Sequence, residues 1–368
     1  MIPRMPNRDT NGGLRRRYLV FDTANPPYHS NRIFDPQMAC QYPGGLALCR
    51  LYELATSAGY IVLTSDLMRV EKIDPQNAIL LTEQWSPDTE RLITEGALPG
   101  IVFSLESLWP AWSFYRRLRK ISSVYQHVFL FPGVRRRVDE TKTCFHPIFF
   151  PQSQREVTDK SNTPWSNKRF LALINSNLPP GSLRRWTACL IDSELRSELY
   201  TERLRAIRYF SGNPSFDLYG RGWETRYRRM PMDFHLAAVR SYKGSCKNKV
   251  STLAEYQFSI CFENAHFPGY ITEKVFDCFF AGCIPIYYGA PDIEKYVPKE
   301  TFIDFRNFNG YGDLDKYLQE VSSSTACSYL EAAKAFLASK AFEPFYQDYF
   351  ASSVLSALND CNNGTTVE

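Results

Sequence analysis

The sequence predicts an α/β protein built as two doubly wound parallel domains, and three observations carry that expectation. Short apolar runs alternate with stretches of helical periodicity along most of the 368 residues. The alternation breaks once, at a polar, proline-containing stretch, and then restarts. The length also suits two domains rather than one core.

The first apolar run is YLVF, Tyr18 to Phe21, which ends at Asp22 and gives way to a Pro/Asn-rich loop through Gly45. Leu46, Cys49, Leu51, Leu54 and Ala55 then recur at helical spacing, Gly59 stops the helix, and YIVL (Tyr60 to Leu63) begins another strand. That order is a βαβ unit. Runs at Ala78 to Leu81 and Ile101 to Phe103 continue the alternation that a parallel sheet requires. From Pro151 to Arg169 the text becomes PQSQREVTDKSNTPWSNKR, which reads as a linker. FLALI (Phe170 to Ile174) opens the second half, followed by a long helical stretch ending in ELYTERLRAIRYF, then FDLYG, QFSICF, a helix, CIPIYY and FIDF. The expected divisions are 1–160, 161–350, and a C-terminal tail 351–368 that is partly helical and then frayed. Two successive α/β halves imply a cleft between them, with pocket-forming loops at the carboxyl ends of the strands.

Composition narrows the function classes. An apolar content of 44% with 22% charged residues is that of an ordinary globular protein, and the 15% aromatic content leaves rings to spare for ligand stacking. The net charge of +4, from 43 basic against 39 acidic residues, is a weak excess. Arginine clusters at Arg15 to Arg17, Arg116 to Lys120 and Arg135 to Arg137 are read as solvated faces, so no nucleic-acid partner is assigned. The ten cysteines include no CxxC pair, and several sit inside apolar runs, as expected in a reducing compartment without zinc or a disulfide framework. No run of ~18 apolar residues is present, so no membrane-spanning segment is expected. No apolar h-region precedes the first strand, so no signal peptide is expected either, and a cytoplasmic enzyme is favoured over a lumenal domain with its anchor removed. The five histidines show no metal-ligand spacing.

The richest segment for chemistry runs from Phe262 to Pro298, FENAHFPGYITEKVFDCFFAGCIPIYYGAPDIEKYVP. QFSICF is a buried-strand pattern with Glu263 and Asn264 at its carboxyl end; Pro268 and Gly269 turn the chain; Ile271, Val275 and Cys278 share one helix face. Glu273 and Lys274 then fall in the first helical turn, and Gly282 ends the helix. Glu263, Asn264, Tyr270, Glu273 and Lys274 can therefore converge on one crevice. A lysine in a first turn opposes the usual preference for acids there, a conflict that an anionic ligand would remove. Solvent-facing charge is the bland alternative.

These residues also carry a resemblance. CFEN, Tyr270 with ITEK, FFAGCIPIYYGAPDIEKYVP and FIDF, within Tyr256 to Phe308, are similar to the donor-binding signature of the α-1,3/4-fucosyltransferases. Weaker similarity extends back to Phe170, and the N-terminal half resembles that family in outline only. The resemblance implies a glycosyltransferase-B architecture of two Rossmann-like domains facing across a cleft. It implies inverting transfer of L-fucose from GDP-fucose to an oligosaccharide or glycoconjugate, α-1,3 to N-acetylglucosamine in an N-acetyllactosamine-type glycan, with no cofactor and no obligatory metal. Asn264, Tyr270 and Glu273 are then expected to shape the donor pocket, with Lys274 on the pyrophosphate. Arg203 is the first choice for the family's pyrophosphate arginine, with Arg205, Arg184 and Arg185 as alternatives. Glu106, just past IVFSL, is the expected general base. The alternative readings are a same-fold transferase for another nucleotide sugar, or an inactive carbohydrate- or nucleotide-binding protein.

Overall fold

The strands of the first half all lie parallel in one sheet; all but the half-exposed edge strand Cys144–Pro147 are apolar on both faces, and helices cover both. The structure, a computed structural model, describes residues 17–158, 163–178 and 197–363. In chain order the first six strands are β1 (Tyr18–Asp22), β2 (Ile61–Thr64), β3 (Ala78–Glu83), β4 (Leu98–Phe103), β5 (His127–Leu130) and β6 (Cys144–Pro147). They are ordered β2-β1-β3-β4-β5-β6. Leu19, Phe21, Ile79, Leu81, Ile101 and Phe103 pack on one face beneath α1 (Gly45–Ser57). Val20, Leu63, Ala78 and Leu80 pack on the other with Leu92 of α2 (Pro87–Thr94). Ser86 caps α2 by accepting from the backbone N–H groups of Asp88 and Thr89, both at 3.1 Å.

The chain divides into two compact units. Among the described residues the first takes those up to Glu106, Ser113–Ser153 and those from Pro344 onward; the second takes Ser107–Trp112 and Gln154–Glu343. Residues 351–368, expected to be a partly helical tail, contribute most of the described helix Gln347–Asn363, which packs into the first unit, where Phe350, Val354, Ala357, Leu358 and Cys361 form one buried face. Their spacing is helical, and the apolar stripe is wide enough to hold the helix against α1.

The second unit repeats the plan. Its strands β7 (Arg169–Ile174), β8 (Phe216–Tyr219), β9 (Tyr256–Phe262), β10 (Ile284–Tyr288) and β11 (Ile303–Asp304) are parallel and ordered β11-β10-β9-β7-β8. The helices that bear on the site are α3 (Tyr200–Phe210), α4 (Met232–Ser241), α5 (Lys249–Leu253) and α6 (Glu273–Ala281). From β7 the chain moves to β8 on one side and then returns to place β9 on the other. The carboxyl ends of β7 and β9 therefore flank the topological switch point, where such sheets open a crevice. The first unit has its own switch point between β1 and β3, since β2 lies on the far side of β1.

Candidate functional site

At the second unit's switch point α3 delivers a buried arginine. Leu204, Ala206, Ile207 and Phe210 pack that helix into the core, and Arg203, 3% exposed, lies on the same buried side. Its guanidinium donates to Phe262 O from Nε (2.9 Å) and Nη2 (2.6 Å), to Asn175 Oδ1 (3.0 Å) and to Asn264 Oδ1 (2.9 Å). Burial pulls its pKa below the usual arginine value, against the fields of Tyr200, Glu263, Tyr270 and Glu273. One side chain thus joins the ends of β7 and β9. Arg205 faces solvent and pairs with Glu202 at 2.8 Å; Arg184 and Arg185 lie outside the described residues.

The seam between β9 and α6 is organised by Glu263, which is fully buried. Its carboxylate accepts from Thr272 N and Thr272 Oγ1, both at 2.7 Å, and from Lys274 Nζ at 3.1 Å. Thr272 is the N-cap residue of α6 and makes no side-chain cap bond; its own N–H and hydroxyl are instead both taken by the Glu263 carboxylate, which fixes the start of the helix. Lys274 Nζ also donates to Thr272 Oγ1 at 2.8 Å and lies 3.5 Å from Glu273 Oε1. Gly289 is needed here, because a Cβ at that position would lie 2.5 Å from Glu263 Cγ and 2.4 Å from the Tyr287 hydroxyl. Gly220, at φ +136°, is needed at the exit of β8, where a Cβ would come 1.9 Å from Asn175 O.

A second cation joins from α5. Lys249 Nζ is 3.5 Å from Glu273 Oε1 and 3.7 Å from Asp277 Oδ2. Burial alone would raise the Glu273 carboxyl, but the ammonium groups of Lys274 and Lys249 outweigh it and hold the pKa at about 2. At Asp277, one helical turn on, burial wins over Lys249 and pushes the pKa up to about 7. For Lys274, the carboxylates of Glu263 and Glu273 overcome the cost of burial and raise the pKa. Asn175, Arg203, Lys249, Cys261, Lys274 and Asp277 line one concavity. Three cations, Arg203, Lys249 and Lys274, line one hollow at the mouth of a parallel sheet beside the N-terminus of α6, each already bonded to protein acceptors, an arrangement that can hold an anion.

Of the residues expected from sequence, Arg203 and Lys274 line the same hollow, Asn264 accepts from Arg203, and Glu273 lies beside Lys274. Tyr270 is packed inside, 2% exposed, with its ring stacked on Phe267 at 4.8 Å between centroids. Lys249, Asp277 and Asn175 were missed, because each comes from a different element and only the sheet order collects them. Glu106 belongs to the first unit, three residues beyond β4, and its side chain is exposed. A carboxylate that sequence reading passed over, Glu83, ends β3 at the first unit's switch point. Its Oε2 accepts from Thr23 Oγ1 (2.6 Å) and Asn25 Nδ2 (2.9 Å), while Oε1 has no protein partner among the described residues. Burial raises its pKa against those two hydrogen bonds. Both carboxylates act electrostatically on the Tyr28 hydroxyl, so they share a neighbourhood.

Comparison with known proteins bears on the same segment. Residues 184–342 match the family model described as glycosyltransferase family 10 (fucosyltransferase) C-term. The chain is 36% identical over 134 residues to the α-(1,3)-fucosyltransferase FucT of Helicobacter pylori, covering 35% of this chain and 28% of that protein. It is 36% identical over 94 residues to 4-galactosyl-N-acetylglucosaminide 3-α-L-fucosyltransferase 9 of Mus musculus, covering 24% of this chain and 26% of that one. The aligned stretches therefore span about a quarter of the length of these curated relatives. Among solved structures, an α1,3-fucosyltransferase with GDP superposes with a TM-score of 0.52 at 13% identity, over 99% of this chain and 95% of that one. Anabaena Alr3699/HepE in complex with UDP and glucose gives 0.54 at 10% identity, over 94% of this chain and all of the other. At such identities these structures speak to fold, and the fold is the glycosyltransferase-B one of two parallel α/β sheets. Most of the residues around the hollow, Arg203, Lys249, Cys261, Lys274 and Asp277, thus fall within the stretch that is similar to the C-terminal part of glycosyltransferase family 10, the fucosyltransferases.

Proposed function

We propose that this chain is an α-1,3-fucosyltransferase that moves L-fucose from GDP-fucose, with inversion, to a glycan hydroxyl, most simply that of N-acetylglucosamine in an N-acetyllactosamine-type acceptor. The observation that carries the proposal is the convergence of Arg203, Asn264 and Lys274 at a switch point inside the stretch that is similar to the C-terminal part of the fucosyltransferases. In the donor complex Lys274 and Arg203 face the pyrophosphate, and Glu273 accepts from sugar hydroxyls. When the bond from the anomeric carbon to phosphate breaks, negative charge grows on departing GDP. Fixed cations and the N–H groups of α6 then stabilise that charge more than they stabilise the bound donor.

The acceptor oxygen attacks the anomeric carbon and must lose its proton to a base. Glu106 is the base expected from sequence, and the structure adds Glu83. We favour Glu83, because it ends β3 at the switch point, its Oε1 has no protein partner among the described residues, and burial raises its pKa above the ordinary carboxylate value. The absence of a CxxC pair among the ten cysteines in the sequence supports a reducing, cytoplasmic setting.

The test is incubation of the protein with GDP-fucose and N-acetyllactosamine, with the product read by NMR. An α-linked fucose on the 3-hydroxyl of N-acetylglucosamine is expected. Transfer from a different nucleotide sugar in preference would keep the fold and replace the chemistry. Donor binding without transfer to any glycan would favour a binding protein.

A further inference from the structure

Helix α4 packs on the second unit through Ala237, Ala238 and Ser241, all buried. Its opposite face is not charged. Met232, Leu236 and Val239, spaced at i, i+4 and i+7, are 54%, 57% and 47% exposed. Six large hydrophobic side chains are this exposed among the described residues, and three of them form this single stripe on a ten-residue helix. Singly exposed apolar residues need no explanation, whereas an aligned row on one helix marks an interaction surface.

The surroundings of the stripe are basic. From Arg221 to Lys243 the chain carries six basic residues, Arg221, Arg226, Arg228, Arg229, Arg240 and Lys243, against two acidic ones. Both acids are engaged locally: Asp233 pairs with Arg208 at 2.9 Å, and Glu224 accepts from the Tyr242 hydroxyl at 2.8 Å. Arg228 and Arg229 are exposed just before the helix, Arg240 is exposed in its last turn, and none of the three has a carboxylate partner among the described residues. The apolar row is therefore bracketed by cations at both ends.

We propose that this face of α4 docks on an anionic lipid surface, with Met232, Leu236 and Val239 entering the boundary between headgroups and acyl chains and the flanking arginines holding the headgroups. An apolar stripe with basic residues at its borders is the pattern by which a helix lies in a membrane interface. Charge complementarity selects this occupant over a second copy of the chain, because a two-fold pairing of α4 would set like-charged arginines against each other. Three half-exposed side chains also fall far short of the ~800 Å² per partner of a stable protein interface, and the row has no aromatic anchor. The Trp223 indole N–H, in the loop feeding α4, donates to the backbone oxygen of pocket-lining Asn175 at 2.6 Å.

The test is flotation of the whole protein with vesicles of phosphatidylcholine alone and of phosphatidylcholine with about one third phosphatidylglycerol, a composition that supplies the negative surface potential. Binding is expected to the anionic vesicles only and to fall at high salt. Arg228→Ala with Arg229→Ala is expected to lower partitioning about tenfold or more. Leu236→Asp, at an exposed position, is expected to abolish it while leaving circular dichroism and GDP-fucose binding unchanged. Failure to bind anionic vesicles, equal binding to neutral ones, or wild-type partitioning by both variants would overturn the proposal. So would dimerisation, seen by light scattering, that Leu236→Asp abolishes.

Discussion

Lys274 Nζ donates to Glu263 Oε2 at 3.1 Å, and the glutamate it holds is fully buried. Thr272 supplies two further hydrogen bonds to the same carboxylate. Removing the ammonium leaves the charge desolvated with part of its shell gone. Lys274→Ala is expected to cost about 3 kcal/mol of stability and to weaken GDP-fucose at least about tenfold. Lys274→Arg, which keeps the charge, should recover part of the stability and less of the activity. Chemical denaturation and donor titration measure the two effects, and an unchanged denaturation midpoint in Lys274→Ala would contradict the structural half.

Gly289 tests whether Glu263 must sit where it does. A methyl group there would press on Glu263 Cγ at 2.5 Å and on the Tyr287 hydroxyl at 2.4 Å. Gly289→Ala is expected to destabilise the fold by about 1–3 kcal/mol through overpacking and to weaken donor binding by displacing the α6 N-terminus. Normal stability with normal donor affinity would show that the carboxylate can move at little cost.

Asp277 predicts a pH dependence near neutrality. Burial raises its pKa to about 7, so its proton is lost as pH rises through that value, leaving a negative charge beside the concavity. GDP-fucose affinity is therefore expected to fall between pH 6 and 8, by at most about tenfold per pH unit for one proton. Asp277→Asn should flatten that profile. Glu273 titrates elsewhere: its pKa is held down at about 2 from an ordinary 4.5, so its stabilising contribution is present above about 4.5 and is lost as pH falls from there toward 2. Acid denaturation of wild type and Glu273→Gln separates the two.

The two candidate bases make different predictions. Glu83→Gln is expected to lower kcat by about 100-fold or more with little change in donor affinity, and Glu106→Gln to have the smaller effect on kcat. The profile of kcat against pH should lose its acidic limb only in the variant that removes the base. A reversed order would return the role to Glu106.

Much of this fold was legible because strand, helix and turn signals are local. The runs YLVF, FLALI and QFSICF lie within β1, β7 and β9, and the helix carrying Glu273 and Lys274 ends at Gly282 as its left-handed conformation, φ 61°, requires. β5 and β6 were not expected, since His127–Leu130 is only four residues and Cys144–Pro147 is a half-exposed edge strand ending in proline. Glu273 and Lys274 were found because site and sequence neighbourhood coincide at the β9–α6 seam. Lys249 and Asp277 were not, since their partnership depends on α5 packing on α6. Glu83 was hidden for a related reason. LLTEQW reads as any strand ending in a charge, and only the sheet order shows that the switch point falls between β1 and β3.

The central claim is that the hollow at the β7–β9 switch point holds the pyrophosphate of GDP-fucose. The most direct measurement is a calorimetric titration of the purified chain and of Lys274→Ala with GDP-fucose, GDP-mannose and UDP-galactose. Selective binding of GDP-fucose by the wild type, weakened at least about tenfold in the variant, is the predicted result. Equal binding by a folded Lys274→Ala protein, or a preference for another nucleotide sugar, would contradict it.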